Sequence, residues 1–274
     1  MARTGSETTT AGRPATMPPR FDDETPRAGL RQALAAEWTK IRTVRSTVGT
    51  LATMAVATVG IAVLVAATAS LQHDDTILGG SLGNAVPGQI AAGALGVLVV
   101  CGEYGSGTIR ATFAACPRRL TVLAAKTLVV AALVFVVAFT AALCAYQAAT
   151  VMLSGQGYLP GKPMPALFGI ALNYAAVAVL GVALGTALRH SAAAITAVTG
   201  VLLLPTLIGP LLGGWQRWVA GASPVAALQK LAQTSDASPR TLGSMGAWPT
   251  LWLVCAYSVA ALVASAWLLR TRDT

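Results

Sequence analysis

This chain carries little charge. Of its 274 residues only 11% are Asp, Glu, Lys or Arg, and just ten are acidic. A soluble domain of this length needs roughly a quarter of its residues charged to cover its surface, so the simplest solvent for most of the chain is lipid. Histidine is nearly absent. His73 and His190 are the only two, HExxH does not occur, and no Ser/His pair is evident, which leaves little for hydrolytic chemistry. The four cysteines, Cys101, Cys116, Cys144 and Cys255, show neither CxxC nor Cys/His metal spacing; they read as small buried hydrophobes. A P-loop is also missing. The only Gly-Lys pair is Gly161-Lys162, with Gln156 five residues before that glycine and Pro163 after the lysine, so the phosphate-wrapping pattern fails.

What is abundant is apolar. Residues of the AVILMFWYC set make up 55% of the chain and mean hydropathy is +0.66. A helix rises about 1.5 Å per residue, so about 20 apolar residues cross the hydrocarbon layer. Six segments qualify: about 48–71, 87–101, 120–152, 168–188, 192–212 and 248–269. The second is short and rich in Gly and Ala. The third is too long for one upright crossing and has no charge after Lys126, so it tilts or extends into water. Runs such as Gly93-Ala94-Leu95-Gly96 and Gly181 to Gly185 permit close helix approach and read as packing seams.

The net charge of +9 would suggest nucleic acid in a soluble protein. Here the basic residues sit between apolar runs and read as topology. Fifteen of the 19 fall on the side of the two termini and the second and fourth loops, and four on the other. That asymmetry predicts an all-α protein of six spans in the cytoplasmic membrane with both termini in the cytoplasm. Met1 to Gly29, rich in Thr, Pro, Gly and Arg with an acidic cluster at Asp22, Asp23 and Glu24, reads as a disordered cytoplasmic tail (1–29).

Three segments are more than connections. In 30–46, Leu30, Leu34, Trp38 and Ile41 recur at steps of three or four while Arg31, Lys40, Arg42 and Arg45 take other faces, the pattern of an amphipathic helix in the membrane interface. In 102–119, Glu103 ends the second span, where an ionised carboxylate is costly unless paired; Arg42, Arg45 or Arg110 are the expected partners. Gly105 and Gly107 break the helix, and Thr108 to Cys116 reads as a short capped helix stopped by Pro117, with Ile109 and Phe113 on one face. An apolar face hanging below the membrane implies a partner. In the long loop 213–247, Trp215 and Trp218 suit an interface, Ser223 and Pro224 offer an N-cap and N1, and Val225, Leu228 and Leu231 follow at steps of three. A short helix at or dipping into the outer leaflet is expected.

In these segments the sequence resembles the permease subunits of ABC-2 type ABC transporters, of the small six-span actinobacterial kind. The residues that carry it are Ala36-Glu37-Trp38-Thr39-Lys40-Ile41-Arg42-Thr43-Val44-Arg45-Ser46-Thr47, and Glu103-Tyr104-Gly105-Ser106-Gly107-Thr108-Ile109-Arg110 followed by Cys116-Pro117-Arg118-Arg119. The resemblance covers about Leu30 to Arg272; the last three spans match by hydropathy alone. It implies that 30–46 is an elbow helix, that the segment around Thr108 to Cys116 is a coupling helix docking on a separate ATPase subunit, that the loop before the last span is an external re-entrant region, and that 47–272 forms the transmembrane domain. It further implies a second permease chain, the same or homologous. ATP and magnesium would be held by the partner and none by this chain, which has no catalytic residue of its own. Glu103, Tyr104, Gly107, Thr108, Ile109, Arg110, Phe113, Pro117 and Arg118 are the expected coupling contacts. The expected function is ATP-driven export of an unidentified substrate. A secondary transporter or channel is the alternative. It would need ionisable groups at mid-membrane, where the deep polar candidates are few, Gln147, Asn173 and Tyr174, and Pro205 offers a possible break.

Overall fold

The computed structural model describes residues 30–105, 107, 119–235 and 237–271. Among these every regular element is a helix, in the order α1 Leu30–Thr43, α2 Arg45–Ala67, α3 Ile77–Leu82, α4 Val86–Gly105, α5 Arg119–Met152, α6 Pro163–Leu188, α7 Ser191–Ile208, a 3-10 turn Gly209–Trp215, α8 Gln216–Val219, α9 Pro224–Ala232, α10 Pro239–Leu242 and α11 Ala247–Thr271. Six of these are long and apolar enough to cross a membrane: α2, α4, α5, α6, α7 with its continuation, and α11. This is the pattern of a multi-pass membrane protein, and each span read from hydropathy overlaps one of them. The short second run is lengthened at its far end to Gly105, so α4 reaches 20 residues. Residue Gly107, at φ +71°, follows that end as the helix break expected there.

Helix α6 is the hub. It packs against α4, α5 and α11, and 78% of its most apolar stretch is buried, against 17% for α2. Exposed apolar side chains such as Val56, Leu204, Trp252 and Val263 lie on the outer helices, where a membrane protein meets lipid and a soluble one would meet water. The α4/α6 crossing rests on missing side chains. A Cβ on Gly96 would stand 2.0 Å from the Ala178 carbonyl oxygen, and one on Gly181 would stand 2.2 Å from that of Gly93. The two glycine-rich runs are thus one seam inside the chain, and backbones touch there because nothing intervenes.

Helix α5 is 34 residues long with no Gly or Pro inside it, which gives a rod of about 51 Å, longer than the hydrocarbon layer of about 30 Å. Helix α7 runs on through Pro205 before passing into the 3-10 turn.

The loop helices pack at one end. Ser223 caps α9, its Oγ accepting the Ala226 amide at 3.0 Å, with Pro224 at N1, as the sequence indicates. Helix α9 is not a surface feature, however. Val225, Ala226, Ala227, Leu228 and Leu231 are buried against α3, α6, α7 and α11. Two buried amides fix it: Gln89 Nε2 and Asn173 Nδ2 both donate to the Pro224 carbonyl, at 3.0 and 2.9 Å. Helix α3 in the first loop was not anticipated. It is a six-residue helix capped by Thr76 and fully buried, and Gly79 and Gly83 let it approach Gln233 and Thr234. The cysteines depart in part from expectation: Cys101 is buried, but Cys144 faces outward.

Gly96→Ala should lower the melting temperature of the detergent-solubilised protein, whereas Gly60→Ala on α2, with nothing within 4 Å of the new Cβ, should leave it unchanged or raise it. Alanine gains up to about 1 kcal/mol of helix propensity at either site. At Gly96 the overlap with backbone, at about 1–3 kcal/mol or more, outweighs that gain.

Candidate functional site: a buried ring of alternating charge

Four ionisable side chains from three helices meet near the ends of α4 and α5. Lys40 Nζ lies 2.8 Å from Glu37 Oε1 and 2.9 Å from Glu103 Oε1. Lys126 Nζ lies 2.5 Å from Glu37 Oε2 and 2.9 Å from Glu103 Oε1. Each cation has two anionic neighbours and each anion two cationic ones, so the four close a ring with no net charge. Glu37 and Lys126 are nearly sealed from solvent, at 3% and 5% side-chain exposure, whereas Lys40 is at 39% and opens one corner to water.

Local sequence explains the placement. On α1, residues 34, 37 and 41 fall within one turn's arc, so Glu37 faces inward beside half-buried Leu34 and buried Ile41, and the helix packs mainly on α5. Trp38 falls to the edge of that face and stays exposed, with the Arg42 guanidinium 5.8 Å from its ring centre. The expected apolar stripe is therefore divided: Leu34 and Ile41 go to protein, Trp38 to the surroundings. Arg42 and Arg45 are exposed and do not pair with Glu103; the lysines do. Arg110, the third expected partner, lies outside the described residues. The chain turns at Val44, whose extended ψ of 112° separates α1 from α2.

Electrostatics favour the closed ring. Taking a carboxylate or ammonium out of water costs several kcal/mol, repaid only where opposite charges and hydrogen bonds surround it. Burial alone would lower the pKa of Lys40, but hydrogen bonds and charge from Glu37 and Glu103 outweigh it and leave the ammonium raised above its usual 10.5. The four ring residues also line, with Ile41, Val44, Leu98 and Val99, a mostly apolar cavity of about 480 Å³ bordered by α1, the start of α2, α4 and α5.

The other expected residues are distributed as follows. Tyr104 ends α4 with the Arg189 guanidinium 5.4 Å from its ring centre, joining α4 to the end of α6. Thr108, Ile109, Arg110, Phe113, Pro117 and Arg118 lie outside the described residues. Trp215 and Trp218 are exposed, at 73% and 61%, and Ser223 and Pro224 cap and start α9 at the end opposite the ring. Asn173 and Tyr174 hold backbone: Asn173 binds Pro224, and the Tyr174 hydroxyl donates to the Ala85 carbonyl at 2.6 Å. Gln147 is exposed. His190 caps α7, its Nδ1 accepting the Ala193 amide, and no group of three or more potential metal ligands occurs among the described residues.

Sequence reasoning missed Glu37 and Lys126 as site residues. The available signals were a lone acid on a basic helix three residues before Lys40, and a lone lysine just inside a long apolar run. A scan against family models and a search of curated proteins return no match for this chain.

Lys126→Met should destabilise the solubilised protein by about 3–5 kcal/mol, because it leaves two carboxylates sharing one exposed lysine. Combining it with Glu37→Gln should cost at least about 1 kcal/mol less than the sum of the single changes; additive losses in chemical-denaturation curves would show that the four groups do not act as a unit. Lys40 carries a sign that can be worked out. Its folded pKa is raised, so its contribution is complete below the unfolded value of about 10.4 and disappears as pH climbs through the higher folded value. Stability compared between wild type and Lys40→Met should therefore differ at pH 7 to 9 and converge only in strong alkali.

Proposed function

We propose that this chain is the membrane permease subunit of an ATP-driven exporter of the ABC-2 type, working with a separate ATPase subunit and a second permease chain. In this reading both termini are cytoplasmic, α1 is the elbow helix at the inner interface, and α9 belongs to an external re-entrant region. The observation that supports it best is the charge ring. It joins α1 to the last turn of α4 and the second turn of α5, the two spans that bracket residues 106–118. A push on that segment reaches both spans and the interfacial helix together. ATP would close the two ATPase subunits, the Thr108–Cys116 segment would move with them, and α4 and α5 would tilt so that a cavity between two permease chains changes its exposure. This is a two-state element biased by nucleotide. Glu103 is both ring member and coupling position; Ile109, Arg110 and Phe113 would supply the docking face.

The secondary-transporter alternative draws no support from the deep polar residues, since Asn173 and Tyr174 are engaged with backbone carbonyls.

Ile109→Asp and Phe113→Asp should leave the protein inserted but abolish ATP-dependent transport in vesicles containing the partner ATPase. Undiminished transport by either variant, or transport by wild type with no ATPase present, sinks the assignment. Nucleotide-dependent crosslinking from Cys116 to a copurified ATPase is the direct positive result.

A further inference from the structure

At the end of the molecule opposite the charge ring, a pocket of about 440 Å³ opens between α8, the residues after α10 and the start of α11. Its size falls in the range of small-molecule sites, about 300–1,000 Å³. Its back wall is backbone against backbone. A Cβ on Gly221 would lie 2.2 Å from the Leu242 carbonyl oxygen and 2.3 Å from that of Arg217, and one on Gly243, at φ +76°, would lie 2.7 Å from the Arg217 oxygen. The wall therefore exists only because both positions are glycine. The remaining lining is apolar, with Trp218, Met245 and Leu253 exposed at 61%, 39% and 37%. Arg217 supplies the charge at the rim. Its guanidinium sits 5.8 Å from the Trp218 ring centre and meets no carboxylate among the described residues. Ser244 adds a hydroxyl.

The chemistry selects an amphiphile. An unpaired guanidinium with five donors matches a phosphate diester. One arginine and one serine make a poor cage for free phosphate, which needs donors on several sides. The Trp, Met and Leu walls would be wet around a small anion but covered by an acyl chain. The site also follows the apolar stretch of α7 in sequence and includes exposed Trp218, with exposed Trp215 three residues before it, the residue type enriched where spans meet headgroups. We propose that this pocket binds an anionic phospholipid, with the headgroup phosphate on Arg217 and Ser244 and an acyl chain along Met245 and Leu253. The proposal needs only a membrane-spanning chain and stands apart from the exporter reading.

The test is native mass spectrometry of the full chain in a non-ionic detergent, titrated with phosphatidylglycerol, phosphatidylcholine or inorganic phosphate. Wild type should retain phosphatidylglycerol in preference to phosphatidylcholine. Arg217→Gln should weaken that retention about tenfold, the worth of one charge-assisted hydrogen bond, while Arg240→Gln leaves it intact. Leu253→Trp, which fills the apolar half and keeps the charge, should weaken it as well. Equal retention by wild type and Arg217→Gln overturns the proposal, as does displacement of the lipid by millimolar inorganic phosphate. If Arg217→Gln does not fold, Arg217→Lys and Leu253→Trp decide: retention by the first and loss by the second support the site, and retention by both overturns it.

Discussion

Two carboxylates and two ammoniums, arranged so that unlike charges alternate, decide how one end of this bundle is built. Glu37 and Lys126, nearly sealed from solvent, are not tolerable alone where they sit. Lys126 is in the second turn of a 34-residue helix whose only other charge is Arg119 at its first residue, and Glu37 is almost entirely covered. Together they sum to zero and satisfy one another, which makes burial tolerable and adds a polar tie beside the apolar cluster that Ile41, Val100 and Leu123 already share. Helix α1 leans chiefly on α5; the Lys40–Glu103 pair carries its link to α4. The partners are lysines and not the nearby arginines, and that suits the geometry: a compact ammonium can sit between two carboxylates from different helices, whereas a planar guanidinium prefers one carboxylate face-on.

The opposite end is organised by a different device. A single carbonyl, that of Pro224, receives side-chain amides from α4 and α6, and a tyrosine on α6 secures the backbone just before α4. Small residues then let α3 and α9 close against each other. One end of the molecule is held by charge, which responds to protonation and to the approach of other charges. The other end is held chiefly by neutral hydrogen bonds between buried groups, with charged ones only at its edge, where Asp75 accepts the Ser235 amide and Lys230 donates to the Thr250 hydroxyl.

Much of this architecture was legible in the residues because lipid imposes a blunt rule: a span must be long and apolar, and charge must cluster outside it. Hence the six runs, the break after Gly105, and the Ser223-Pro224 cap were all visible. What was hidden depended on three-dimensional coincidence. Lys126 looked like the boundary marker of a span until Glu37 and Glu103, 89 and 23 residues away, were seen on either side of it. Glu37 lay inside a motif noticed for its apolar and basic members. Helix α3 was missed because six residues carry too little periodicity to register, and its burial comes from neighbours that lie far off in sequence. The division of the apolar stripe on α1 also needed the fold, since Trp38 and Ile41 differ by the few tens of degrees that separate a protein-facing position from its rim.

Helix α5 has a mechanical consequence. With no glycine or proline to absorb bending, it behaves as a stiff beam about 51 Å long, gripped near one tip by the charged ring and touching α3 toward the other. A tilt of about 5° about Lys126 would move the Met152 end, about 39 Å away, by about 3 Å, and α2, α6 and α3, which pack along it, would have to move with it. Small angular play at one end of the bundle is thus geometrically amplified into a displacement at the other that the neighbouring helices must share.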